Sequence, residues 1–125
     1  MSAMRRAALP FVLAMLAGPA LAEPWACAFT VECEASAGCS DAGLTVEVIA
    51  ADHAGDLVLS SVTGVTPVTR LTPADRMPAT YAGTGRIEVA ELLTIDAGRT
   101  ALMTLHIFDG AAAAITYFGT CEELT

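Results

Sequence analysis

Apolar and polar residues alternate along most of the chain after residue 24, and the alternation predicts strand after strand. Trp25, Cys27, Phe29, Val31 and Cys33 share odd parity, which puts them on one face of an extended segment, opposite Ala28, Thr30 and Glu32. A second strand spans 44–51, with Leu44, Val46, Val48 and Ala50 in phase. Strands are predicted again over 57–63 and 65–71, separated by Gly64. Pro67 marks the latter as an edge, a bulge or a weak strand, since proline cannot donate to a ladder. Three further strands, over 87–95, 100–108 and 111–120, are separated by Asp96-Ala97-Gly98-Arg99 and Asp109-Gly110. In the first of these turns Gly98 is the expected site of positive φ. Between them all lies 72–86, with two prolines and two glycines and no sustained period, apart from a short strand at Thr80-Tyr81-Ala82.

Seven or eight short strands joined by tight turns, with no amphipathic helix of useful length, predict an all-β antiparallel meander. Closure into a barrel removes exposed edges and is the preferred architecture; a two-sheet β-sandwich is the alternative.

The cysteines sharpen this expectation. Cys27 and Cys33 on one strand would lie about 20 Å apart, too far to bond. Cys33 and Cys39 flank a turn-like stretch, so the preferred pairing is Cys33–Cys39 with Cys27–Cys121. The second bridge ties the first strand to the last.

Residues 1–22 read as a secretory signal peptide: Arg5 and Arg6, a short apolar run, Gly18-Pro19, then Ala20-Leu21-Ala22 before Glu23. The apolar run is shorter than the ~20 residues that span a bilayer. Removing 22 of the 125 residues leaves one domain, 23–125, of 103 residues. Four cysteines in a short exported chain fit two disulfides and a periplasmic or secreted location.

Loss of Arg5 and Arg6 takes the formal net charge from −8 to −10. Such a chain repels nucleic acid and anionic membranes and attracts basic partners. No nucleophile motif, phosphate loop, zinc motif or calcium loop occurs, so the expectation is a non-enzymatic protein with no cofactor and no metal. His53 in a loop and His106 in mid-strand read as solvent-facing. Glu91 falls on the apolar face of its strand, where a carboxylate is costly. A bulge or an arginine partner is the first explanation, a polar cavity the other. Arg70, Arg76 and Arg86 bracket the irregular segment with Tyr81 among them, and form a candidate site for an anionic group.

Trp25-Ala26-Cys27-x-Phe29…Glu32-Cys33 and the ending Asp109-Gly110…Thr116-Tyr117-Phe118-Gly119-Thr120-Cys121-Glu122 resemble small exported alphaproteobacterial proteins of unassigned function. That resemblance implies no activity. A looser, architectural one is to periplasmic inhibitors of C-type lysozyme, which are small disulfide-bearing barrels. The functions to weigh are therefore a binding or interaction module, an inhibitor of a basic cell-wall hydrolase, and a barrel for a small apolar ligand.

Overall fold

The computed structural model describes residues 23–51, 56–86 and 89–124, with only the backbone of 84–86. Residues 1–22, expected to be a signal peptide, and His53 lie outside the described residues. Eight strands follow in chain order: β1 (Trp25–Glu34), β2 (Gly38–Ala50), β3 (Leu57–Ser61), β4 (Gly64–Arg70), β5 (Ala79–Arg86), β6 (Val89–Ile95), β7 (Thr100–Phe108) and β8 (Ala112–Glu123). Each pairs antiparallel with the next, and β1 pairs with β8, so the sheet is a closed barrel, not a sandwich.

The alternation works as anticipated over most of the barrel. Trp25, Phe29, Val46, Val48, Tyr81, Leu93, Ile95 and Met103 fill the interior almost without exposure. Burial of each such large apolar side chain is worth roughly 1.5–3 kcal/mol relative to exposure. Pro67 sits in β4 beside Val58 of β3, just where pairing with β5 has ended, so no β5 carbonyl waits for its missing N–H.

Both disulfides form as expected, Cys27–Cys121 across the β1–β8 seam and Cys33–Cys39 across the β1–β2 hairpin. The expected sharing of one face by Cys27 and Cys33 is corrected. The register of β1 against both neighbours shifts between Phe29 and Val31. Thr30 is the extra residue of a bulge, and one extra residue reverses inside and outside for everything beyond it. Trp25, Cys27 and Phe29 point inward, but beyond the bulge Glu32 and Glu34 take the inner positions, opposite Tyr117 and Ile115. Val31 and Cys33 move to the outer wall. The bulge presses β1 onto β8 at Gly119, where a Cβ would stand 2.0 Å from the Ala28 carbonyl oxygen and 2.7 Å from Phe29 Cα. Only glycine fits there.

Two further expectations change. The irregular segment 72–86 shrinks, because β5 occupies its second half and only 71–78 stays irregular. Cross-strand bonding overrides the weak local pattern there: Tyr81, Ala82 and Gly83 pair with β4 on one side and β6 on the other. In the β6–β7 turn, positive φ falls on Arg99 (φ 70) and not on Gly98. The Arg99 N–H donates to the Asp96 carbonyl, and the Asp96 carboxylate accepts from the Thr100 N–H, which together hold the turn.

Candidate functional site

The two ends of the barrel are built differently. At one end Trp25 and Tyr81 close the interior, and Arg70 is drawn over them with a side chain only 7% exposed. Arg70 Nη1 donates to Glu23 Oε1 (3.3 Å) and to the Tyr81 hydroxyl (3.2 Å). Its other nitrogens donate to the carbonyls of Thr72, Pro73 and Arg76 at 2.9–3.1 Å. The Tyr81 hydroxyl in turn donates to Glu23. Burial first, and then the adjacent Glu23 carboxylate, push the Tyr81 phenol well above its ordinary range. On the same end Arg99 lies 5.1 Å over the Trp25 ring and pairs with Glu123 at 3.2 Å.

This arrangement accounts for the arginines singled out in the sequence. Arg70 and Tyr81 do come together, but as a lock that fastens the 71–78 loop to the barrel end. The guanidinium donors are aimed at protein oxygens, not at an open cleft. Arg76 reaches this lock only through its backbone; its side chain is 71% exposed, beside Asp75 at 3.6 Å. The Arg86 side chain lies outside the described residues. Glu23, the residue that completes the lock, was not singled out, because its nearest partner in sequence is 47 residues away.

The opposite end is the acidic one. Glu91 stays in phase with Leu93 and Ile95, since β6 pairs with β7 without a break, so neither a slip of β6 nor exposure relieves it. It lines a half-open cavity of about 110 Å³ at this end, with Leu44, Leu59, Met103, Leu105 and Tyr117. Burial, and after it the charges of Glu32 and Glu34, raise the Tyr117 phenol. The cavity has the volume of three or four waters at ~30 Å³ each, well short of the ~300 Å³ at which small-molecule pockets begin.

A wider concavity lies on the outer wall. It is a groove of about 590 Å³ running along β1, between β8 on one side and β2 and β3 on the other. The outward residues of β1 here are Ala26 and Ala28, whose small side chains make the floor. In one cross-strand row Ala26 stands between Glu47 and Glu122; in the next Ala28 stands between Thr45 and Thr120. Two carboxylates thus face each other across two strand spacings, roughly 10 Å. Ser60 and Val62, which is 89% exposed, close the far side. Among the described residues, no basic side chain lines the groove. An ammonium or guanidinium group between the walls would meet both carboxylates, and the alanine floor would let an extended backbone lie close. The small outward residues of β1 were visible in the sequence. Their framing by glutamates 21 and 96 residues away was set by the pairing alone.

His106 lies on the outer wall, exposed, as expected. No group of three or more potential metal ligands gathers among the described residues. Comparison with family models, curated proteins and solved structures finds no match for this chain, so the site rests on its own geometry.

Proposed function

We propose that the protein is an exported, non-enzymatic binding module that captures a cationic segment of a partner in the groove along β1. The observation that carries this reading is the row Glu122–Ala26–Glu47, with its two carboxylates across a small-residue floor. The net charge, −8 for the full chain and −10 from residue 23, supports it, because long-range attraction speeds encounter with basic partners and disfavours acidic ones. Two disulfides are consistent with an oxidising compartment. The Glu91 cavity, at about 110 Å³, gives little support to a small apolar ligand there.

Isothermal titration of the oxidised chain from residue 23 with an oligo-arginine peptide, and separately with a basic C-type lysozyme, tests the proposal. Binding is expected at low salt and should weaken as salt rises. Glu47→Gln and Glu122→Gln should each weaken it roughly 2- to 5-fold, the range of exposed ion pairs. Binding of neither probe, or binding unchanged in the double variant, would refute the proposal. Loss of lysozyme activity on saturation would narrow the partner to a basic cell-wall hydrolase.

A further inference from the structure

The two rows of the groove are followed by a third. β8 passes the bulge with no extra residue, so Glu122, Thr120 and Phe118 stand at alternate outward positions. The strip centred on β1 therefore reads Glu122–Ala26–Glu47, then Thr120–Ala28–Thr45, then, beyond Thr30, Phe118–Val31–Asp41. Phe118 is 44% exposed, and Asp41 is open to solvent. The third row thus offers an apolar bed, Val31 and Phe118, with a carboxylate at its edge. Among the described residues, the arginines pair with Glu23, Asp75 and Glu123, and none of these ion pairs involves Glu47, Glu122 or Asp41.

We infer that this strip selects an extended segment with two basic residues four positions apart, the first seated over Ala26 and the second over Val31. The inference rests on the groove being the site for a cationic segment, and it adds the spacing that such a segment must have. An extended chain repeats its side-chain direction every two residues, ~6.6 Å at ~3.3 Å per residue. Laid along β1, it aims residues i, i+2 and i+4 at the three rows in turn, the period at which Glu122, Thr120 and Phe118 recur. At the first row a cation meets both glutamates. At the second, Thr45 and Thr120 supply hydroxyls and no charge, so a cation there gains little. At the third, the methylenes of an Arg or Lys lie on Val31 and Phe118 while the charged head meets Asp41, as long cationic side chains divide between apolar surface and water. A basic residue at i+3 points away from the sheet and misses this row. The carboxylate names the occupant: an acidic side chain would be repelled by Asp41, and a purely aliphatic one would leave it without a counter-charge.

Acetylated and amidated serine–threonine peptides, each with two arginines spaced by two, three or four positions, separate spacing from charge. Chemical-shift titration of the oxidised chain from residue 23 at low salt should show the spacing-four peptide binding about 2- to 5-fold tighter than the other two, the range of one exposed ion pair. Asp41→Asn and, independently, Phe118→Ala should each remove that preference. Both side chains face solvent, and unchanged near-ultraviolet dichroism would certify the fold. Glu47→Gln should weaken all three peptides. Equal affinity for the three spacings, still weakened by Glu47→Gln, would overturn the spacing rule and leave the groove as the cation site. A preference for spacing four that survives both Asp41→Asn and Phe118→Ala would also overturn it. Binding of none of the peptides would overturn the spacing rule and the groove reading together.

Discussion

The two ends of this barrel solve opposite problems. The Trp25 end is sealed by an aromatic pair and a buried guanidinium whose acceptors include Glu23, the Tyr81 hydroxyl and three loop carbonyls. The Glu91 end holds glutamates at inner positions beside a small cavity. A single bulge residue, Thr30, divides them along β1. Before it, inner positions are apolar; after it, the same strand presents Glu32 and Glu34. Side-chain hydrogen bonding therefore gathers at one end, and the other carries glutamates at inner positions of the mouth. The difference teaches that a strict alternation in sequence does not keep one chemical character along a strand when a bulge intervenes.

The largest expected effect comes from the two disulfides, one toward each end. Replacing Cys27 and Cys121 by serine, a separation of 94 residues, should lower stability by about 4.7 kcal/mol on the chain-entropy argument. Replacing Cys33 and Cys39, separated by 6, should cost roughly 2.3 kcal/mol. Urea unfolding of the two double variants compares them; equal losses would mean that loop length does not set the worth of the two bridges.

Arg70→Met should cost about 3 kcal/mol, because it removes the cation beside the part-buried Glu23 carboxylate and the guanidinium donors to the Thr72, Pro73 and Arg76 carbonyls. At the acidic end Glu91→Gln, which keeps shape and removes charge, should change stability by less than about 1 kcal/mol. A larger loss from Glu91→Gln than from Arg70→Met, in the same thermal melt, would reverse the assignment of the sealed end. Gly119→Ala lies at the boundary. Its Cβ would collide with β1 backbone, so a loss of about 2–3 kcal/mol is expected. Near-normal stability in chemical denaturation would show that the bulge can relax.

The smallest effect is alkaline. The Tyr81 phenol is raised in the fold by burial and by Glu23, so the folded state keeps its proton where the unfolded chain, titrating near ~10, has lost it. Its contribution is complete below pH ~10 and falls as pH rises beyond that. Tyr117 shifts in the same direction, chiefly by burial. Urea midpoints measured between about pH 9 and about pH 12 should fall with pH, and less steeply in Tyr81→Phe than in Tyr117→Phe. The reverse order would place the more strongly shifted phenol at the acidic end.

The pattern of residues carried the class of fold, the strand count and both disulfides, because each depends on local periodicity, turn chemistry or reach along the chain. Trp25 and Phe29 on one face, and Pro67 as a weak point of its strand, followed from the same rules. The bulge did not. Thr30 looks like any outward strand residue, and its role is visible only from β2 and β8 slipping past it together. The arginines near the irregular segment were noticed for their charge, but where a guanidinium points depends on which oxygens the folded chain brings near it. Glu23, Tyr81 and three loop carbonyls surround Arg70 only after closure. The groove obeys the same division. Small outward residues on β1 are written in the sequence, whereas the glutamates on either side of Ala26 come from strands distant along the chain. Periodicity determines which residues face out; only pairing decides which of them stand side by side, and a binding surface is made of neighbours.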